Sequence, residues 1–226
     1  MNIDDTTIKT IVHVMSYTAK DLIFDYQSAI SKYTRNGLYS AVWDHRNEML
    51  ILTLNANPKI KNILIKRGNL WEFIAVFESE SGRLFILMSQ DNLDKKRREY
   101  EKTGSSSHYL YSLLHYNIDK NSNEQLELLN FPNIDNEKNR EADCEEMLGE
   151  YADKVSEVVV ASFTYVNQIA SKALLNIFDG NYNQVDVIDI SDLLLTENKT
   201  KSEDTLDNAK RNNNQEEEPL VRLLKK

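Results

Sequence analysis

A chain of 226 residues that is 41% hydrophobic can bury one good-sized core, and its formal charge of −9 is unevenly placed. Residues 1–120 hold 16 Lys/Arg against 14 Asp/Glu and residues 121–226 hold 11 against 22, so the acidity leaves the first half open to a nucleic acid. No strictly apolar run exceeds five residues, as in Leu84–Met88, which excludes a membrane-spanning helix; a lone cysteine, Cys144, excludes an internal disulfide and points to the cytoplasm.

In chain order, Ile8, Ile11, Val12 and Met15 recur at helical spacing. Thr18 and Asp21 read as a capping pair for a second helix, whose stripe is Leu22, Ile23, Tyr26, Ala29, Ile30 and Tyr33 and whose end is Gly37. From Leu38 the period changes to two: Tyr39, Ala41 and Trp43 alternate with polar neighbours, and Met49–Leu54 forms a second extended run. Pro58 breaks the chain, Asn62–Ile65 resumes it, and Gly68-Asn69 reads as a turn. Trp71, Phe73, Ala75 and Phe77 share one strand face, residues 78–82 make a hairpin loop, and Arg83–Met88 returns as the partner strand.

Asp91 and Asp94 suit the first turn of a helix running to about Lys102, and Ser106 or Ser107 suits the N-cap of the next, with Tyr109, Leu110, Leu113, Leu114 and Tyr116 as its stripe. Residues 118–143 are rich in Asn, Asp, Glu and Lys and read as a mobile polar loop. Val155–Val166 satisfies both periods; its triple valine and Thr164-Tyr165-Val166 favour strand, with Ile169–Phe178 and Val185–Ile190 as neighbours across an Asp179-Gly180-Asn181 turn. After Leu195 the composition is that of a disordered tail.

Most site chemistries fail on spacing. The six glycines are at least 14 positions apart, so neither a P-loop nor a dinucleotide fingerprint is present. Asp143, Glu145 and Glu146 flank Cys144 and disfavour a thiolate, which makes it an incidental thiol in a polar segment. His108 and His115, seven apart on one helical face, are too distant to share a metal. Asp44 and His45, adjacent on a strand, would point to opposite faces. Glu48 and Glu72 lack the lysine two residues on that a metal-dependent nuclease strand carries, so that pattern is absent, although Glu72 and Glu78 remain possible ligands. The sequence predicts no catalytic residue, metal or cofactor.

Two features remain. Lys61, Lys66 and Arg67 on one strand and Lys95, Lys96, Arg97 and Arg98 on a helix would track a phosphate backbone if they shared a surface. Gln125-Leu126-Glu127-Leu128-Leu129 resembles the short peptide by which bacterial replication and repair proteins dock on the DNA sliding clamp, with Gln125, Leu126, Leu128 and Leu129 as the anchors.

The expectation is one α+β domain over residues 1–195. It has an antiparallel β-meander of four or five strands with flanking helices, a mobile loop at about 118–143, and a disordered acidic C-terminal tail over 196–226. Its 24 asparagines point to an AT-rich bacterial, phage or plasmid genome. The function expected is a non-catalytic binding or regulatory protein of a bacterium or mobile element, with an unidentified protein partner and the sliding clamp as one candidate. The alternative is a nucleic-acid-binding protein, or an enzyme acting on nucleic acid, that combines the basic surface with Asp44, His45, Glu72 or Glu78.

Overall fold

The computed structural model describes residues 5–67, 71–121 and 134–194. Its centre is a six-stranded sheet whose strands lie side by side in chain order. They are β1 (Ile60–Arg67), β2 (Trp71–Glu78), β3 (Arg83–Ser89), β4 (Glu157–Val166), β5 (Ile169–Phe178) and β6 (Gln184–Asp189). All neighbours are antiparallel except β3 and β4, which run parallel from Arg83↔Glu157 to Ser89↔Phe163. A parallel pair needs a long crossover, and the chain between Ser89 and Glu157 supplies one over a single face of the sheet. It contains α4 (Gln90–Thr103), α5 (Tyr109–Leu113), a 3-10 segment (Leu114–Asn121), α6 (Ile134–Leu148) and a second 3-10 segment (Gly149–Lys154).

Strand alternation sorts the core. Leu84, Ile86 and Met88 of β3 and Val158 and Val160 of β4 face the crossover layer, where they meet Leu93, Leu110, Leu113, Met147 and Leu148. Phe85 and Leu87 with Val159, Ala161 and Phe163 face the opposite layer, built by α1 (Asp5–Ser16) and α3 (Leu38–Leu54) through Ile8, Ile11, Met15, Leu50 and Leu54. Between these two helices lies α2 (Ala19–Ala29), which packs on α3 through Ala19, Tyr26, Leu38 and Val42. Among the described residues no helix is long and apolar enough to cross a membrane.

Residues 38–54 differ from the sequence expectation: the two extended runs are one 17-residue helix. Its buried positions are Leu38, Val42, Arg46, Leu50 and Leu54, every fourth residue, and an arginine in the middle of the stripe breaks the apolar period when the sequence is read alone. Gly37 accordingly caps the start of α3 instead of ending α2, and its N–H donates to the Tyr26 hydroxyl at 3.0 Å. Part of the expected polar loop at 118–143 is helix instead, because α6 begins at Ile134 and buries Arg140 and Cys144. His108, instead of Ser106 or Ser107, caps α5, with Nδ1 accepting from the Leu110 N–H. The Gly68-Asn69 turn, Gln125–Leu129 and the 196–226 tail lie outside the described residues.

Two local devices fix the joints. At the β2–β3 hairpin Gly82 has φ +69°, and a Cβ there would stand 2.6 Å from Ser156 Oγ, so glycine lets the hairpin tip press on the entrance to β4. Where the β4–β5 ladder ends, the fully buried Asn117 completes it. Its Nδ2 donates to the carbonyls of Val158 (2.9 Å) and Phe178 (2.8 Å), and its Oδ1 accepts from Val158 N–H (2.9 Å).

Replacing Asn117 by alanine strands three buried backbone groups at about 1–3 kcal/mol each. The Asn117→Ala protein is expected to lose at least about 3 kcal/mol in urea unfolding. A loss below about 1 kcal/mol would show that another group has taken over these contacts.

Candidate functional site

The carboxyl ends of β3 and β4 open into a pocket of about 480 Å³ between the two helical layers. In sheets with parallel strands this end is where ligands commonly sit, because diverging connections leave a crevice. Each wall has a local cause. Ser89 ends β3 and caps α4, accepting from the Asn92 N–H. Thr18 caps α2 in a box with Asp21, whose carboxylate accepts from the Thr18 N–H at 2.6 Å. Tyr39, Trp43 and Arg46 recur at helical spacing along α3, and Tyr165 projects from the end of β4.

Arg46 forms the floor and is only 5% exposed. Its Nε donates to Tyr17 O (2.9 Å), and its Nη2 reaches Tyr17 O (2.6 Å), Met15 O (3.1 Å) and the Tyr165 hydroxyl (3.0 Å). The Tyr165 hydroxyl in turn donates to Met15 O at 2.9 Å. These carbonyls end α1, so the guanidinium sits on the negative pole of that helix. Trp43 and Tyr165 present ring faces at 4.9 and 5.3 Å. Burial depresses the Arg46 pKa, partly offset by the Tyr165 hydroxyl and more distantly by Asp21.

Among the described residues no carboxylate lies at ion-pair distance from Arg46, and its Nη1 finds no acceptor. Nor is Nη1 one of the buried polar atoms left unpaired among the described residues, which are Asn62 Oδ1, Arg97 Nε and the Tyr182 hydroxyl; this corner of the guanidinium therefore keeps some solvent access, and Arg46 is among the residues that line the pocket. The other arginine buried among the described residues, Arg140, is complete by comparison. It donates to Tyr111 O, Gly180 O and, at 3.0 Å, the Glu137 carboxylate.

The residues expected from the sequence are placed elsewhere. Alternation along β1 sends Lys61 and Arg67 to the crossover face and Lys66 to the other. Lys66 pairs with Glu72 (3.4 Å), Arg67 with Asp143 (2.5 Å) and Lys96 with Glu99 (2.8 Å). Arg97 turns inward over Phe178, while Lys95 and Arg98 stay exposed on α4. Asp44, His45, Glu72 and Glu78 do not meet in one cavity either. Asp44 and Glu72 line a shallow groove beside α3, His45 packs on Tyr17 at 4.3 Å, and Glu78 is buried against the Ser81 hydroxyl. Gln125, Leu126, Leu128 and Leu129 lie outside the described residues. Among the described residues no three His, Cys, Asp or Glu side chains are grouped to hold a metal. The pocket itself was missed, because its basic residue sits where the sequence shows an alternating strand and its aromatics look like core. The signal available was a lone arginine at the centre of an i, i+4 apolar stripe.

Two titrating groups sit apart from the pocket. Cys144 is not in a polar segment: it is buried in α6, its Sγ donates to Ser112 O, and burial together with Asp143 pushes the thiol up to about 12. His108, beside Trp71 and Tyr109, is lowered to about 4 by burial first and by Lys96 and Arg67, against the opposing pull of Glu99.

Cys144 is expected to resist iodoacetamide at pH 8 in the native protein and to react on unfolding; fast native labelling would contradict its burial. For His108 the folded pKa lies below the ordinary 6.5, so the unfolded chain binds the proton first and stability falls as pH drops from about 6.5 to about 4. His108→Asn keeps a cap and cannot titrate, so its stability is expected to fall less over this window, by up to about 3 kcal/mol. Parallel stability–pH curves for the two proteins would refute the shift.

The chain belongs to the family of unknown function DUF5986, which it matches over residues 1–226. No curated protein and no solved structure matches it.

Proposed function

We propose that this protein is a non-catalytic binding protein whose ligand occupies the pocket at the carboxyl ends of β3 and β4. The observation that carries the reading is Arg46: a buried guanidinium with one open corner at the floor of a cavity walled by Tyr39, Trp43 and Tyr165. A volume of about 480 Å³ falls in the range of small-molecule sites. The hydroxyls beside it support binding over catalysis. Both are taken up in helix caps: Ser89 accepts from the Asn92 N–H, and the Thr18 hydroxyl donates to Asp21 at 3.0 Å, a carboxylate that also accepts from the Thr18 N–H in the capping box of α2. A regulatory role in the cytoplasm of a bacterium or on a mobile element fits the single thiol and the asparagine-rich composition.

A protein partner is the second reading, favoured by the outer side of α2 and the segment after it. Phe24, Ile30 and Tyr33 are 79%, 66% and 96% exposed there, more apolar surface than a helix otherwise leaves to water.

The test is recovery. The full chain purified under native conditions, denatured and extracted, is expected to release a small molecule. Added back to ligand-free protein, that molecule should raise Tm and return chemically unchanged. Its conversion to a product would make the protein an enzyme and overturn the reading.

A further inference from the structure

Resting on that reading, we infer that the ligand is a flat aromatic or heteroaromatic carboxylate, its anionic group on Arg46 Nη1 and its ring against Trp43 and Tyr39. The first argument is charge. Among the described residues Arg46 is the one basic side chain lining the pocket, it is 5% exposed, and the carbonyls that hold it are the end of α1. A helix terminus supplies about half an elementary charge, which leaves part of the cation unbalanced in a partly desolvated place. Arg140 shows how the same fold completes a buried guanidinium, by giving it the Glu137 carboxylate. At Arg46 the corresponding corner keeps some solvent access on a residue that lines the cavity, and a ligand carboxylate would make there the charge-assisted bond that the chain does not.

The second argument sets the number of charges. Asp91, in the first turn of α4, lines the same pocket and is exposed, so a second negative charge on the ligand would meet a carboxylate and, among the described residues, no further cation. This disfavours phosphate chains and favours a single carboxylate. The third argument sets the shape. Trp43 and Tyr165 already hold the guanidinium between their faces, and Tyr39, 66% exposed, stands on α3 one turn before Trp43. Aromatic walls of this kind select planar rings, since stacking preserves their area of contact without ordering flexible chains.

The experiment uses the full chain carrying Trp71→Phe, a half-exposed site, so that Trp43 is the remaining tryptophan emitter. The probes are 4-nitrobenzoate and its neutral isostere 4-nitrobenzamide, both quenchers of indole emission. Saturable quenching by the acid is expected, with the amide at least tenfold weaker. Tyr39→Ala should weaken the acid several-fold without moving Tm. Arg46→Met should abolish the preference for the acid if it folds; because Arg46 also pins α1, the acid-to-amide ratio and Tyr39→Ala carry the test if it does not. Equal affinities for acid and amide would overturn the anionic assignment while leaving the binding reading intact. No saturable quenching by either probe, or a Tyr39→Ala protein that binds as before, would overturn the inference, and the extraction experiment would still decide the binding reading separately.

Discussion

The parallel contact between β3 and β4 is the constraint to which the rest of the molecule answers. Leu84, Phe85 and Ile86 on one strand and Val158, Val159, Val160 and Ala161 on the other are buried whichever way they point. A strand pair that is apolar on both faces is stable only between two layers. One layer is the crossover that the parallel arrangement already requires. The other has to come from the N-terminal helices, which is why α1 and α3 precede the sheet and lie across its free face. The pocket is a by-product of this arrangement, since the two layers part where β3 turns into α4 and β4 turns directly into β5.

Arg46 joins that architecture to the site. Through Met15 O, Tyr17 O and the Tyr165 hydroxyl it ties the end of α1, the middle of α3 and the end of β4 at one point. Few side chains could do so: the guanidinium donates in several directions at once and stacks between rings without losing its hydrogen bonds. The geometry that makes it structural also leaves one corner free.

Much of the architecture is legible in the sequence wherever one signal dominates. Phe73, Ala75 and Phe77 alternate and do share a face, Asp91 marks the first turn of α4, and the triple valine is strand. What misleads is competition between signals. Tyr39, Ala41 and Trp43 happen to alternate, Met49–Leu54 is a dense apolar run, and Arg46 interrupts the stripe that would have shown α3 as one helix. The basic residues were visible as types but not as directions: Lys66 and Arg67 are neighbours in sequence and lie on opposite faces of the sheet, and Arg97 serves the core. The candidate site was the least legible part, because its residues come from α2, α3, α4 and β4 and converge only once the β3–β4 contact exists.

That contact also divides the fold in time. Strands β1 to β3 and β4 to β6 are two local meanders whose turns bring them together quickly, but Arg83 and Glu157, paired across the seam and joined by an ion pair of 2.7 Å, are 74 residues apart. Closing so long a loop comes late, and until it closes β3 and β4 are both unpaired edges with uncharged, apolar interiors. Two half-folded copies can satisfy those edges on each other as readily as one chain can on itself. Refolding yield is then set by a race between intramolecular closure, which ignores protein concentration, and edge-to-edge association, which rises with it.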